Sequence, residues 1–360
     1  MSPSLRFPEF NGEWENKRIG DIGKFFSGGT PSSSRKDFYG GEIPFIRSGE
    51  IHSDKTELFL TQEGYKNSSA KMVEVGDILL ALYGANSGDI SISQMRGAIN
   101  QAILCIRTNV APVFFKSVWE KHAQKILNTY LQGGQGNLSA DIVKKITISI
   151  PSQIEQAKIA ALFSHLDERI SIQNRLIDRL QSLMIGIAQK IAHSNKPNVR
   201  ISDCLECSSS ALQESEVNKT GKYPVYGANG IVGYIDKYHT QNEAIYIIKD
   251  GSGVGGVSYV TGKCSSTGTL NILQAKNGHS LKYLYYLLKV FNFVPYKTGM
   301  AIPHIYFKDY GKAKIFCPAY PEQLEYAKLL SSIDGNLRIA LDSLKNFNLQ
   351  KQYLLRHMLI

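Results

Sequence analysis

The chain has 360 residues, of which 43% are hydrophobic and 20% are charged, as in an ordinary globular protein. This composition excludes a disordered or collagen-like chain, and the length suggests about two domains. No apolar run approaches the roughly 20 residues of a membrane span, and the first residues lack the apolar core of a signal peptide. We therefore predict a cytoplasmic protein.

The charge is strongly positive and unevenly distributed. The formal net charge is +10, and segment 195–318 contains 14 basic and eight acidic residues. Within it, residues 251–308 include six lysines and no Asp or Glu. Residues 90–119 also lack Asp and Glu but contain only three basic residues. A basic surface without acids does not repel phosphates. The pattern favours an anionic partner, with nucleic acid the first candidate and an anionic membrane surface the second. Of these we predict nucleic acid and no membrane partner.

The sequence repeats itself at long range. When the sequence is displaced by 167 residues and compared with itself, Ile78 matches Ile245, and the glycines at 84 and 88 match those at 251 and 255. The same displacement matches 148–167 with 315–334, whereas near the starts of the copies the displacement is 182. Two copies of this length predict a pseudo-two-fold architecture rather than a solenoid.

Each copy begins with a β-rich region and ends with a long helix. Alternating and β-branched patterns predict strands at 77–82, 145–150, 244–248 and 256–260, and shorter helices at 112–131 and 280–292. The resulting α+β organisation has four segments. They are a first β-rich domain at 1–150, a central long helix at 151–195, a second β-rich domain at 196–318 and a C-terminal long helix at 319–360.

The long helices have apolar residues at coiled-coil spacing. Ser152 and Glu155 fit a capping box at the start of the first helix, and no proline follows until Pro197. Because one such helix cannot bury its own stripe, we predict that the two pack antiparallel; the alternative is that each packs on its own domain. The predicted stripes are Leu162, Leu166, Ile170, Gln173, Ile177, Leu180, Met184, Ile187 and Ile191, then Leu324, Ala327, Leu330, Ile333, Leu337, Leu341, Leu344, Leu354 and Met358.

Motifs for catalysis are scarce. Residues 251–256 (GSGVGG) match a dinucleotide-binding pattern, but a strand-like segment follows and no acid appears before Asp309, so we interpret them as a tight glycine turn. We find no nucleophile elbow, nuclease carboxylate cluster or adenine-methyltransferase loop. The five cysteines suggest reduced thiols. We predict no metal site, although zinc held by Cys204 and Cys207 with Cys264 or Cys317 is an alternative.

Several segments together resemble a known family. Residues 28–32 (GGTPS), 39–47 (YGGEIPFIR) and 76–79 (GDIL) resemble a target-recognition domain, as do 223–235 (YPVYGANGIVGYI) in the second copy. Residues 150–156 (IPSQIEQ) and 318–323 (PAYPEQ) resemble the starts of the two family helices. Occurring twice in this order, they resemble the specificity subunit of a Type I restriction-modification system.

The resemblance implies two target-recognition domains, each binding one half of a bipartite site in double-stranded DNA. An antiparallel coiled coil would hold the halves apart. Two methyltransferase subunits would supply S-adenosylmethionine chemistry, and two restriction subunits would act as ATP- and Mg-dependent motors. This chain would be non-catalytic and hold no cofactor. At 360 residues it is compact for the family, and its second domain is the shorter copy.

Polar and basic residues beside the glycine turns are the candidate DNA contacts. Lys and Arg would bind phosphates, while amides, hydroxyls and also Arg would contact base edges. The candidates in the first copy are Arg47, Tyr83, Asn86, Ser87, Arg96, Asn100, Gln101, Gln135 and Asn137. Those in the second copy are Tyr226, Asn229, Lys249, Ser252, Lys263, Thr267, Lys297 and His304.

Two other functions remain open on the sequence. One is the recognition subunit of another restriction class, and the other is a coiled-coil scaffold without DNA specificity. The salt dependence of binding distinguishes DNA recognition from a scaffold role. Affinity for DNA falls steeply as the salt concentration rises, whereas binding through an apolar interface does not.

Overall fold

The computed structural model describes residues 2–130 and 138–360. The chain divides into two compact units, Met1–Gln173 with Ser343–Ile360, and Asn174–Asp342. This division cuts both long helices, because each unit packs part of one helix with part of the other. The four segments predicted from the sequence instead follow the order of elements along the chain.

Among its described residues, the first domain contains ten strands, three helices and the start of a long fourth one. The predicted strand at 145–150 begins only at Thr147, because Lys144 and Lys145 end a short helix. The strands are β1 (Glu15–Arg18), β2 (Gly23–Ser27), β3 (Tyr39–Ile46), β4 (Phe59–Leu60), β5 (Lys71–Val73), β6 (Ile78–Ala81), β7 (Ile90–Ile92), β8 (Gly97–Ile99), β9 (Ile103–Thr108) and β10 (Thr147–Ile150). The helices are α1 (Gln62–Lys66), α2 (Pro112–Tyr130), α3 (Ala140–Lys145) and α4 (Gln153–Ala192).

The second domain repeats this order with fewer elements. Its strands are β11 (Val199–Arg200), β12 (Leu205–Ser209), β13 (Tyr223–Gly227), β14 (Gly230–Ile235), β15 (Glu243–Ile248), β16 (Val257–Thr261), β17 (Ser265–Ser266), β18 (Leu270–Ala275) and β19 (Lys314–Ile315). Its helices are α5 (Ile201–Cys204), α6 (Leu281–Lys289), α7 (Phe307–Tyr310) and α8 (Tyr320–Met358). Within the described ranges, no helix combines the length and apolar character needed to cross a bilayer.

Both domains are built from the same three sheets. A four-stranded antiparallel sheet has the order β2-β9-β6-β7 in the first domain and β12-β18-β15-β16 in the second. Ile78 pairs with Ile106 in the first, and Ile245 pairs with Leu273 in the second. Each domain also has a sheet with one parallel pair, β3 with β8 and β13 with β17. The short pairs β1–β10 and β11–β19 join the two ends of each domain.

The hydrogen bonds of the glycine turns confirm the repeat. Gly88 N–H donates to Ala81 O, and Gly255 N–H donates to Ile248 O, both at 2.8 Å. The turns begin at Gly84 and Gly251, whose φ angles of +79° and +96° place them in the left-handed region that glycine adopts without strain. Strand β16 follows the second turn, so residues 251–256 are a turn between strands rather than the start of a helix.

A glutamine performs the same task at the start of each long helix. Gln156 donates to Pro151 O at 2.9 Å and accepts from Ala111 N at 3.1 Å. Gln323 donates to Pro318 O at 2.8 Å and accepts from Ser280 N at 2.9 Å. Each buried amide therefore ties the start of a long helix to the segment before α2 or α6.

The predicted capping box at α4 forms only in part. Glu155 N–H donates to Ser152 Oγ at 3.4 Å, but the Glu155 carboxylate binds the Arg6 guanidinium through two contacts of 2.7 Å. A bidentate charge-assisted pair is stronger than a bond to a neutral backbone N–H. Glu155 is 1% exposed, so Arg6 compensates a buried charge.

The apolar seams of the long helices agree with the predicted stripes, with two exceptions. Every predicted position of α4 is buried or half-buried. In α8, Leu324 and Leu341 are 46% and 44% exposed, and their neighbours Gln323 and Ala340 are buried instead. At each place the buried position is one residue earlier than predicted. Leucine is the more apolar residue there, but the 3.5-residue period places its less apolar neighbour on the buried face.

The end of α8 belongs to the core of the first unit. Met358 and Leu359 lie in one cluster with Ile159 and Phe163 of α4 and with the domain's sheet. The backbone is also held there, since Leu5 N–H donates to His357 O at 2.8 Å. Higher residue numbers of α8 therefore lie against lower numbers of α4, which is the antiparallel pairing expected.

A charge network joins three helices in the first unit. Lys116 of α2 contacts Asp167 of α4 at 2.6 Å, and Lys351 of α8 contacts Asp167 and Glu120 at 2.8 Å each. Burial alone would raise the pKa of Asp167, but hydrogen bonds from both lysines lower it below its ordinary value. The network fixes the register of α8 against α4 and α2.

Replacing Lys351 with methionine should destabilise the first unit. Asp167 and Glu120 would keep one lysine between them, which we expect to cost about 1–2 kcal/mol for side chains that are partly buried. Denaturant unfolding measures the change. Lys345→Met on an exposed part of the same helix is the matched control, and equal losses in the two variants would contradict the role of the network.

Candidate nucleic-acid interface

One end of the first domain gathers four turns. Strands β2, β3, β6 and β8 all end there, and backbone bonds join the turns that follow. Gly29 N–H donates to Ile99 O at 3.2 Å, and Leu82 N–H donates to Ala102 O at 2.8 Å. We call this surface the first loop edge; it comprises residues 28–30, 47–52, 82–89 and 99–102.

The paired glycines of this edge are required by close backbone approach. A Cβ on Gly28 would lie 1.8 Å from Ile99 O, and one on Gly29 would lie 1.9 Å from Ser69 Oγ. Neither position has room for a side chain. The glycines therefore bring Thr30 to Gln101, where the Thr30 hydroxyl donates to the side-chain carbonyl.

Five predicted contacts of the first copy lie on this edge besides Arg47. Tyr83, Asn86 and Gln101 are exposed. Ser87 and Asn100 are half-buried and serve their own turns: Ser87 Oγ donates to Leu82 O, and Asn100 Oδ1 accepts from Ala102 N. The edge thus presents a phenol and two carboxamides to solvent.

Arg47 lies on the edge but is already paired. Its guanidinium contacts Glu50 at 2.8 Å and Glu57 at 3.2 Å. The hydrogen bonds from Arg47 lower the pKa of Glu50 to about 2. With two carboxylates beside it, Arg47 supplies little positive charge to a ligand and instead holds the turn at 48–50.

The other candidates of the first copy lie elsewhere. Arg96 precedes β8, at the opposite end of that strand from the edge, and its Nε contacts Glu74 at 3.2 Å. Gln135 and Asn137 lie outside the described residues.

The second domain has the matching surface. Thr267 N–H donates to Tyr226 O at 2.9 Å, and Lys249 N–H donates to Thr269 O at 3.0 Å. A hairpin joins them, since Gly251 N–H donates to Pro303 O at 3.0 Å. We call this surface the second loop edge; it comprises residues 227–230, 249–256, 267–269 and 297–305.

Five predicted contacts of the second copy have side chains that solvent reaches on this edge. Asn229, Ser252 and Lys297 are exposed, and Lys249 and His304 are half-buried. Within the described ranges neither lysine forms an ion pair, although Lys249 Nζ donates to Ser209 Oγ at 3.5 Å. The second edge therefore carries positive charge that its own acids do not pair.

Three candidates of the second copy are placed differently. Thr267 is 3% exposed, and its hydroxyl bonds that of Thr269 at 2.7 Å. Tyr226 is half-buried and packs edge-on against Tyr246. Lys263 lies beyond the other end of β16 from the glycine turn, with its Nζ 4.8 Å from the ring centre of Tyr238.

Comparison with known proteins identifies the family. Residues 11–182 and 194–346 match the family described as the Type I restriction modification DNA specificity domain, which covers both copies. The chain belongs to this family.

Relatives share its sequence over about half of the chain. The specificity subunit of the Type I restriction enzyme MjaIX from Methanocaldococcus jannaschii is 28% identical over 47% of this chain and 42% of that subunit. The HindI specificity subunit from Haemophilus influenzae is 28% identical over 48% of this chain and 40% of that subunit. The match thus spans about two fifths of the length of these curated relatives.

Solved structures share the fold over the whole chain. The S subunit of a Type I restriction-modification system from M. genitalium superposes with a TM-score of 0.73 at 16% identity, covering 100% of this chain and 99% of that one. A chain from a study of type I R-M complex assembly superposes with a TM-score of 0.52 at 14% identity, covering 96% and 97%. At these identities the likeness concerns the fold.

The specificity-domain fold also exposes apolar residues that sequence reasoning missed. Met300 is fully exposed and Ile302 is 66% exposed at the tip of the hairpin between Lys297 and His304. The pairing of Thr298 with His304 holds the hairpin through backbone bonds of 2.8 and 2.9 Å. Gly299 and Pro303 could have predicted this exposed tip from the sequence, because they are turn-forming residues on either side of the apolar ones.

One group of metal-type ligands forms among the described residues, in the second domain and away from the second loop edge. It comprises Cys204, His279 and Cys317, whose ligand atoms all lie within 4.8 Å of one another. Cys207 and Cys264, which the sequence motif had grouped with Cys204, are not part of it. His279 was missed because it forms no short spacing motif with the cysteines along the sequence.

Arg47→Met should destabilise the first domain in a pH-dependent way. At neutral pH we expect a loss of about 1 kcal/mol, since Glu50 and Glu57 would repel each other. Because the pKa of Glu50 is depressed, its stabilising contribution is complete above about pH 4.5 and is lost as the pH falls through about 2. The difference between variant and native chain should therefore shrink below pH 4.5 in denaturation curves.

Arg96→Met is the control, because that guanidinium is 70% exposed. A loss at Arg47 that stayed constant down to pH 3 would contradict the assigned pairing with Glu50.

Proposed function

We propose that this chain is the DNA-recognition subunit of a Type I restriction-modification complex, in which each loop edge binds one half of a bipartite target. The observation that carries the proposal is the duplication of the edge. In a family of DNA specificity domains, the same turns occur twice, with exposed amides on both and unpaired lysines on the second. Two different edges suit two different half-sites.

The exposed side chains divide into two roles. Lys249 and Lys297 bind phosphates and supply affinity without sequence preference. Asn86, Gln101 and Asn229 contact base edges, because a carboxamide both donates and accepts and can pair with adenine through two bonds. Since Arg47 is neutralised, neutral groups dominate recognition at the first edge.

The chain itself is non-catalytic in this proposal. Two methyltransferase subunits provide adenine methylation from S-adenosylmethionine, and two restriction subunits provide cleavage with ATP and Mg. The complex acts on double-stranded DNA in the cytoplasm. Membership of the specificity family supports this division of labour, as does the similarity of the fold to a chain from a type I R-M assembly.

The paired long helices set the separation of the two half-sites. They carry a heptad seam through both compact units, and a seam of this kind is stiff along its axis. Their length then determines the number of unrecognised base pairs between the halves.

Mapping methylated adenines tests the function. The chain is co-expressed with its cognate methyltransferase subunit, and the methylated sites of the host genome are sequenced. We expect a split motif with a fixed non-specific gap. A continuous motif would favour the recognition subunit of another restriction class. Absence of methylation by a folded, co-purifying complex would favour a scaffold.

A heptad inserted into both α4 and α8, at the junction of the two compact units, should change only the gap. Seven residues add about 10.5 Å to a helix, which corresponds to about three base pairs of DNA. The half-sites should stay the same. Inserting the heptad into α4 alone is the control, because it leaves the pairing with α8 unmatched; an unchanged gap in the double insertion would contradict the spacer role.

Lys297→Ala should weaken binding to all DNA sequences. One lost phosphate contact reduces the slope of log affinity against log salt by about one, and the methylated motif should not change. Lys263→Ala is the matched control, because it removes an exposed lysine of the same domain at the far end of β16. Equal effects in titrations across salt concentrations would extend the DNA surface beyond the second loop edge.

A further inference from the structure

Three side chains from distant segments meet inside the second domain. Cys204 ends α5, His279 immediately precedes the N-cap of α6, and Cys317 lies between β19 and α8. Both cysteines are buried. The Nδ1 atom of His279 is buried without a hydrogen-bond partner among the described residues, which is costly for a polar atom unless a ligand satisfies it.

Hydrogen bonds around the cluster hold its members in place. Two hydrogen bonds of 2.8 Å join Asn198 to Cys317. The Cys317 N–H donates to Asn198 Oδ1, and Asn198 Nδ2 donates to Cys317 O. Lys276 N–H donates to Cys204 O at 2.9 Å, and His279 N–H donates to Lys276 O at 3.1 Å. Supporting bonds of this kind orient ligands at metal sites.

The first copy supplies an internal comparison. The displacements that align the two domains place Cys204 on Ile22 and Cys317 on Ile150, and the matched bonds from Gln156 and Gln323 place His279 on Val110. In the first domain three aliphatic residues take these places: Val110 and Ile150 are buried in its apolar core, and Ile22 is partly buried and packs against that core. The same backbone corner needs no sulfur or imidazole to fold, yet all three positions change together to ligand types.

We propose that Cys204, His279 and Cys317 bind a divalent zinc-type metal ion in the second domain. Two thiolates and one imidazole are ligands that Zn²⁺ prefers, and a water or another donor takes the fourth tetrahedral position. Zn–S bonds of about 2.3 Å imply sulfur atoms about 3.8 Å apart, so the ligands need to move by no more than about 1 Å.

The ion would hold the two ends of the domain together. The segment from Cys204 to Cys317 includes the main sheet and the second loop edge, and closing so long a loop restricts the unfolded chain strongly. The site lies away from the loop edge, so it supports the surface rather than contacting DNA. The proposal does not depend on the DNA-recognition function.

Metal analysis of the full-length chain tests the site. The chain is purified with reductant and without added metal, and zinc is measured by mass spectrometry alongside thermal unfolding with and without a chelator. We expect about one zinc per chain and a lower melting temperature after chelation. Cys204→Ser and Cys317→Ser should each reduce the zinc content at least tenfold. Cys207→Ser, three residues from Cys204 and outside the cluster, should leave it unchanged.

A second variant separates loss of metal from loss of fold. Cys204→Ile, His279→Val and Cys317→Ile together install the aliphatic residues of the first copy. This variant should fold, contain no zinc and melt at a temperature that the chelator does not change.

Three results would overturn the proposal. The first is a reduced native chain that contains no zinc and takes up none from added Zn²⁺. The second is an equal loss of zinc in Cys207→Ser. The third is a Cys204–Cys317 disulfide that forms in air in a chain whose reduced form binds no metal.

Discussion

The burial of the apolar face of α8 is the constraint on which the rest of the structure depends. A 39-residue helix cannot shield its own apolar stripe from water. The last turn of α8 buries its apolar residues in the core of the first domain, beside Phe163. Lys121 and His122 bind the final carbonyls of the chain at 2.8 Å each. The core of the first domain therefore includes residues from the end of α8, which follow the whole second domain along the sequence.

Duplication preserves the frame while the chemistry within it changes. Gln156 and Gln323 make the same two bonds in both copies, because every helix start needs its backbone groups satisfied. Around them the copies diverge. Glu155 is buried against Arg6, whereas its counterpart Glu322 is exposed and accepts a bond from Tyr326. Positions that carry the frame are constrained by backbone geometry, and positions beside it are free to specialise.

The candidate site was predictable where exposure follows from a turn. Asn86, Asn229 and Lys297 are exposed on the loop edges, because glycine turns between strands lie at the surface. Arg47 and Thr267 look equally suitable in sequence, but one is neutralised by acids from two turns and the other is buried beside Thr269. Pairing and burial depend on residues distant along the chain, and a single sequence does not reveal them.

The sequence by itself determined the duplication, the strands around the glycine turns, the two heptad stripes and the family. All of these are periodic or local patterns, and short-range sterics and hydrophobic burial fix them. Only the tertiary structure decided that Lys263 lies at the opposite end of β16 from the second loop edge. It alone assembled Cys204 with His279 and Cys317 rather than with Cys207. Such groupings arise because strand pairing and helix docking close long loops, and contacts across those loops leave no spacing in the sequence.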